Sequence, residues 1–483
     1  MLFSEPAFLL FFLPLLFAIY FAVPKVLRNT VLLIFSLGFY AYGEKMFVLL
    51  MLFSIALNYG LGLAIDRAAT PAAKKFWLIA GIVGDLGLLI AFKYANFLVD
   101  NLNSALSVVQ LPTVHLDPVH LPIGISFFTF QAMSYIIDLY RGEVKVQRNP
   151  FDLALYISLF PQLIAGPIVR YHDISEQLQR RRHSFMNFAY GAERFLIGLG
   201  KKMIIANAVA YPCDQIFALP DDEITTSLAW LGMVCYTLQI YFDFSGYSDM
   251  AIGLGRMFGF KFLENFNYPY ISQSITEFWR RWHISLSSWY RDYLYIPLGG
   301  NRVSPRRTYF NLFTVFFLCG LWHGSSWNFV IWGMYHGLFL IIERLGFGAM
   351  LKKGPRAVRH IYCMLAAVIG WVFFRAETLP QSLTFIAAMF GFGSDPSGAR
   401  LLGHYLDTEL LVMIVIGMIG ATNIVPAGTA RLKSYVAGKE KAQRATWENL
   451  FALLKWAALT AIFFWCLMMM AAGSYNPFIY FRF

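Results

Sequence analysis

A chain of 483 residues that is 58% hydrophobic, 18% aromatic and only 14% charged, with mean hydropathy +0.55, has too little polar surface to face water all round. Soluble domains carry about 25% charged residues. Backbone groups in hydrocarbon must be satisfied within each segment, so the composition predicts an all-α polytopic integral membrane protein. The net charge of +11 argues for topology and against nucleic-acid binding. Its basic residues fall in short clusters between apolar runs (Lys25/Arg28, Lys74/Lys75, Arg180–Arg182, Lys352/Lys353/Arg356/Arg359), as the positive-inside rule expects of cytoplasmic loops. Five cysteines are scattered singly without a CxxC pair, which indicates neither a disulfide framework nor a thiolate metal site.

The first apolar run, Ala7–Val23, has no basic residue before it and no small-residue cleavage site. It is expected to stay in place as a span, with Met1 outside and Lys25/Arg28 in the cytoplasm. Runs near the spanning length, on the order of 17–25 residues, follow at Phe47–Ile65, Phe76–Phe92, Leu121–Tyr140, Phe185–Tyr211 and Ser227–Tyr241. Tyr309–Leu321, Ser326–Ile342, Ile361–Phe374, Leu410–Pro426 and Leu450–Ala472 complete the series, and Val31–Tyr42 is shorter still. Phe151–Arg170 closes on PQLIAGPIVR, whose Pro161, Gly166 and Pro167 resist an uninterrupted helix. The expectation is about 10–13 transmembrane helices plus one or two re-entrant or partial ones. Asn101–His120 and Phe392–Leu406 are the longest polar loops and Val436–Glu448 a charged connector. No repeat divides the chain, which reads as one membrane-embedded domain, 1–483, with a polar centre at about 151–346 and peripheral helices at both ends.

Within that centre, Phe278–Arg302 reads FWRRWHISLSSWYRDYLYIPLGGNR, and His323 stands in GLWHGSSWNFVIWG. Ionisable groups at membrane depth are costly and usually serve a pathway or a reaction. Of the nine histidines, His115, His120, His172, His183, His360 and His404 read as solvated or interfacial. His283, His323 and His336 sit among Trp, Tyr, Phe and Gly. A neutral imidazole can accept a proton from a hydroxyl, as a general base must. Their spacings, 323 − 283 = 40 and 336 − 323 = 13, lack the HxxxH pattern of helical metal ligands, so no metal is predicted.

Upstream, YTLQIYFDFSGYSDMAIGLG (Tyr236–Gly255) places Asp243 and Asp249 in a small, apolar setting. Such groups hydrogen-bond across a bundle, or line a polar channel or orient a histidine, and Asp243 is the better candidate for the functional role. The glycines from Gly253 to Gly259 follow no strand, so close helix packing explains them better than a dinucleotide fingerprint. Ile275–Tyr295 reads as an amphipathic or re-entrant helix. Its Arg280, Arg281 and Arg291 suit either lipid phosphates or the phosphates of an anionic substrate such as a coenzyme.

Beyond these readings, a set of motifs is recognisable: FLLFFLP (Phe8–Pro14), LFPQLIAGPIVR (Leu159–Arg170), YFDFSGYSDMAIG (Tyr241–Gly253), Asn265–Arg302, GLWHGSSWNFVIWGMYHG (Gly320–Gly337) and SYNPFIYFRF (Ser474–Phe483). With these, essentially the whole chain resembles the membrane-bound O-acyltransferase (MBOAT) superfamily, in its bacterial branch that O-acetylates polysaccharides such as alginate. The resemblance implies a bundle around a central funnel in a bacterial inner membrane. It implies acetyl transfer from cytoplasmic acetyl-coenzyme A, a donor substrate and not a bound cofactor, to an extracytoplasmic polysaccharide, completed by a periplasmic acetyltransferase partner.

It further implies that His323 is the catalytic base, relaying the proton to the leaving thiolate, and that His283 orients the thioester or hydrogen-bonds the oxyanion. Asn328, Ser325 and Trp327 are further donor candidates. Arg280 and Arg281 would hold coenzyme phosphates, with Asp243 and Trp322 also on the substrate path. Peptidoglycan and cellulose are alternative acceptors. D-alanyl transfer to teichoic acid fits less well, because the closing NPFIYFRF resembles the acetylating branch. A transporter whose polar residues line a permeation path is the reading from a different class.

Overall fold

The computed structural model describes residues 1–392 and 398–479; parts of the Phe392–Leu406 loop and of the closing Ser474–Phe483 motif lie outside the described residues. The described elements are helical throughout, without a strand. Five are long and apolar enough to cross a membrane: Lys25–Arg67, Pro71–Val108, Trp327–Lys353, Arg356–Arg375 and Lys441–Ala471. A sixth arises if Thr408–Gly420 and Ile424–Ala437, bent by 58°, form one broken span. The apolar runs suggested about 10–13; part of the difference is that Lys25–Arg67 carries two of those runs on successive helices, Arg28–Glu44 and Val48–Arg67, and part has a physical cause. The central helices face protein instead of lipid, so they carry polar groups that lower their hydropathy. Thr226–Met257 is buried along most of its 32 residues and includes Asp243 and Asp249. Ile125–Arg141 is buried from Ile125 to Leu139 and includes Gln131 and Asp138.

Small residues let these helices approach. A Cβ on Gly253 would stand 2.5 Å from Gly191 O, and one on Gly198 would stand 2.5 Å from Gly246 O. The helices Phe185–Gly200 and Thr226–Met257 therefore meet backbone to backbone. Glycine at 253 serves packing, as the absence of a preceding strand indicated. Gly320 and Gly333 do the same for Pro305–His323 and Trp327–Ile342, where a Cβ on either would clash with a carbonyl of the other helix. This second pair carries His323.

The interruption expected near Pro161 is present. A helix at Pro150–Ser158 gives way to the short Phe160–Leu163, then to irregular backbone. The Ile275–Tyr295 region is likewise broken, into Ile275–Arg281 and Ile284–Tyr290. Between them His283 adopts a left-handed conformation (φ 44°, ψ 56°), which costs a non-glycine residue about 1–2 kcal/mol.

The ends of the bundle are distinct. One gathers basic loops, tied by Arg148–Asp66 at 3.5 Å, Arg170–Asp292 at 2.6 Å and His172–Asp138 at 2.9 Å. The other holds His120–Glu44 at 3.1 Å and Arg375–Asp214 at 2.5 Å. These are called the basic and the opposite face below.

Candidate active site

His323 is the last residue of the helix Pro305–His323 and is 6% exposed. A helix end leaves its last carbonyls without intrahelical donors, and here two residues of a neighbouring helix supply them. Lys93 Nζ donates to Trp322 O at 2.5 Å, to His323 O at 3.3 Å and to Ser126 Oγ at 3.1 Å. Tyr94 Oη donates to Leu321 O at 2.5 Å. Both come from a π-helical turn, Ile90–Tyr94, of the kind often found at functional sites. A cation at a helix C-terminus is also favoured by the macrodipole. Sequence reasoning passed over Lys93, although a lone lysine closing an apolar run was a readable signal.

The ring of His323 packs edge-on against Trp322, Trp332 and Phe374, with centroids at 5.0, 4.9 and 5.1 Å. It borders two cavities. One, of about 100 Å³, opens between Lys93, Gly124, Ser126, Trp322 and His323, beside the segment that follows His120 on the opposite face. The other is a slot of about 10 Å³ walled by Trp282, Trp332, Trp371, Phe374 and Ile479.

His283 lies nearby, 1% exposed, with its ring 6.3 Å from Trp322 and 4.6 Å from Phe244. Its tautomer follows from its neighbours. Asn265 Oδ1 accepts from the Ser285 backbone N–H at 3.2 Å, which identifies that atom as the oxygen. The His283 Nδ1 3.0 Å away must therefore carry the proton and donate. Asn265 is itself positioned through Nδ2, which donates to Ser248 Oγ at 2.9 Å. Nε2 is then a buried acceptor without a hydrogen-bond partner. A neutral His283 in this tautomer can accept a hydrogen bond from substrate but cannot donate to an oxyanion, which removes one of the two roles that the sequence left open.

The remaining sequence candidates are spread across the bundle. Trp322 lines the larger cavity and donates through Nε1 to Ser126 O at 3.4 Å. Asn328 is turned aside, Nδ2 donating to Ala376 O at 2.8 Å, and Trp327 Nε1 donates to Asn101 Oδ1 at 2.9 Å. Asp243 is buried with both oxygens engaged, one by Lys202 at 2.8 Å and one by the backbone N–H of Ile479 at 2.9 Å. Arg281 is tied to Glu277 at 2.9 Å. Arg280 is exposed and faces a cavity of about 720 Å³ on the basic face, together with Arg344, Lys352 and Arg359. The carboxylates there are occupied, Glu277 by Arg281 and Glu343 by the N–H groups of Ile275 and Thr276.

Rings connect this basic cavity to the centre. Trp279, next to Arg280, lies 5.0 Å from His336, which lies 5.3 Å from Trp332, which in turn lies 4.9 Å from His323. The Nε1 atoms of Trp279 and Trp332 and both ring nitrogens of His336 are buried without hydrogen-bond partners among the described residues. Native proteins rarely leave such groups unsatisfied, so ordered water or ligand atoms are their natural complement.

A profile of the membrane-bound O-acyltransferase family matches residues 125–383, more than half of the chain and the stretch that holds His283, His323 and His336. The chain belongs to the membrane-bound O-acyltransferase family, as its motifs indicated, and is a multi-pass membrane enzyme of that class. It is 44% identical over 502 residues to “Probable alginate O-acetylase AlgI” of Azotobacter vinelandii, with 100% of both chains covered. Identity to the protein of the same name from Pseudomonas aeruginosa is 44% over 527 residues, again covering 100% of each. The peptidoglycan O-acetyltransferase of Helicobacter pylori is 38% identical over 432 residues, 81% of this chain and 80% of that one.

Proposed function

We propose that this protein is an O-acetyltransferase of a bacterial inner membrane. It takes acetyl from acetyl-coenzyme A at the basic, cytoplasmic face and delivers it to a hydroxyl at the opposite face. The product is an O-acetylated extracytoplasmic polysaccharide, alginate-like in composition, with a periplasmic acetyltransferase partner completing the transfer. The observation that carries this reading is the position of His323, buried at a clamped helix end between a cavity that holds Lys93 and Ser126 on one side and an apolar slot on the other. Relatives named as alginate O-acetylases match over the full length of both chains, which favours alginate-like polymers over peptidoglycan as acceptor.

In the reaction, His323 takes the proton of the acceptor hydroxyl as its oxygen attacks the thioester carbonyl. A C–O bond forms, the C–S bond breaks, and the same proton passes to the leaving thiolate. The developing oxyanion needs a preorganised donor. Trp332 Nε1–H, buried without an acceptor beside His323, fits that role better than Asn328 or Trp327, whose side-chain N–H groups are used elsewhere. His283 Nε2 orients the donor by accepting from one of its amide N–H groups. Arg280, Arg344, Lys352 and Arg359 hold the coenzyme phosphates in the basic cavity.

The test uses the protein in proteoliposomes, with its partner and labelled acetyl-coenzyme A. His323→Ala at normal expression is expected to abolish acetyl transfer to the acceptor, and wild-type transfer by that variant would refute the assignment. Transport of substrate by the wild type without thioester cleavage would refute the enzymatic reading.

A further inference from the structure

The closing segment of the chain has no part in the reaction as derived so far, yet it runs into the centre of the bundle. Polar contacts along its described residues hold it there. Tyr475 Oη donates to Asp214 Oδ2 at 2.5 Å, and Asn476 Oδ1 accepts from Asn207 Nδ2 at 3.2 Å. Pro477 O accepts from Lys202 Nζ, and the Ile479 N–H donates to Asp243 Oδ2 at 2.9 Å. The Phe478 ring packs on Tyr247 at 5.3 Å, and Phe478 and Ile479 are 6% and 5% exposed. The buried ion pair Lys202–Asp243, at 2.8 Å, thus grips two successive parts of the tail from the bundle interior. Asp243, singled out in the sequence as a channel residue, has both its oxygens committed to this anchor.

Among the described tail residues, Ile479 reaches the site at His323. Ile479 forms a wall of the slot beside His323, facing Trp282, Trp332, Trp371 and Phe374. Trp332, Trp371 and Phe374 belong to helices, and Ile479 follows irregular backbone. The slot measures about 10 Å³, close to the least that admits one water-sized group. A methyl group is the smallest acyl terminus and is apolar, as this lining is. A longer acyl chain would need its next methylene where the walls already stand.

We infer that this slot receives the methyl of the acyl group and that Ile479, carried in by the C-terminal tail, restricts the enzyme to acetyl. The inference rests on the acyl transfer proposed above. It gives the tail a catalytic consequence without contact between the tail and the reacting atoms: Ile479 fixes the depth available behind the thioester carbonyl. A hydrophobic pocket discriminates one methylene by roughly 10- to 200-fold, so a single side chain suffices for the effect.

The experiment is a competition between acetyl-coenzyme A and propionyl-coenzyme A in proteoliposomes holding the full chain and its partner, with the acyl esters on the acceptor counted by mass spectrometry. Wild type, Ile479→Val, Ile479→Ala and Phe374→Leu are compared. The propionyl-to-acetyl ratio is expected to rise in the order wild type, Val, Ala, by about 10-fold at Ala, and to rise in Phe374→Leu, which enlarges the slot from a helix without touching the tail. Should Ile479→Ala lose the tail and all activity, a raised ratio in Ile479→Val and Phe374→Leu still supports the inference. An unchanged ratio in those two overturns it, because a mere packing void would be indifferent to acyl length. Absence of acetyl transfer by the wild type overturns the donor assignment and this inference with it, whereas transfer with unshifted ratios overturns this inference alone.

Discussion

Replacing Lys93 by Met removes the ammonium that holds the end of the His323 helix while keeping most of the stem volume. Three hydrogen bonds are lost, to Trp322 O at 2.5 Å, Ser126 Oγ at 3.1 Å and His323 O at 3.3 Å. Hydrogen bonds from a charged donor contribute about 1.5–3 kcal/mol each, so the two backbone carbonyls alone account for a gross loss of about 3–6 kcal/mol. Desolvation of the buried ammonium, several kcal/mol in the opposite direction, largely offsets this in overall stability. The fold should therefore persist, and the loss should appear as freedom of the helix end. His323 is the terminal residue, and a displacement near 1 Å at reacting groups costs on the order of 100-fold in rate. Acetyl-coenzyme A turnover in proteoliposomes is expected to fall by that factor in kcat, with KM for the donor little changed because Lys93 does not line the basic cavity. Turnover within threefold of wild type, at matched protein levels, would show that the clamp does not position the base.

Asp243→Asn leaves Lys202 as an unpaired buried cation, and breaking such a pair costs about 3–5 kcal/mol. A marked drop in thermal midpoint in detergent and earlier proteolytic cleavage of the C-terminal tail are expected; an unchanged midpoint would contradict the tail-anchor role. His172, on the basic face outside the spanning helices, bridges Asp138 at 2.9 Å and Asp173 at 3.3 Å. Hydrogen bonding to Asp138 first, then to Asp173, raises its pKa from 6.5 to about 9. A raised folded-state pKa means stability that is complete below about pH 6.5 and lost as pH climbs through about 9. Thermal melts across that window should show a decline that His172→Gln lacks, and parallel curves for the two proteins would discard the bridge.

Some of this architecture is legible along the chain because it depends on local composition. The broken helix at Pro161, the packing glycine at 253 and the unusual Phe278–Arg302 segment each announce themselves by residue type, since proline, glycine and charge have fixed costs in hydrocarbon wherever they stand. His323 and His283 stand out for the same reason. Lys93 does not, because it lies 230 positions from His323 and only the packing of two distant helices makes it a clamp. The protonation of His283 likewise depends on Asn265 and Ser285, whose meaning comes from the direction of one backbone N–H.

The sequence by itself determined that this is an all-helical membrane protein of the O-acyltransferase family. Hydrophobicity and the cost of intramembrane charge are properties of residues, and they survive without coordinates. The tertiary structure alone decided which polar groups meet. It committed Asp243 to the tail, Arg281 to Glu277 and Asn328 to Ala376, left Arg280 facing an open basic cavity, and brought Ile479 beside His323. Those pairings depend on how helices far apart in the chain cross, and hydrogen bonds reach only about 3 Å, so no spacing along the chain could have specified them.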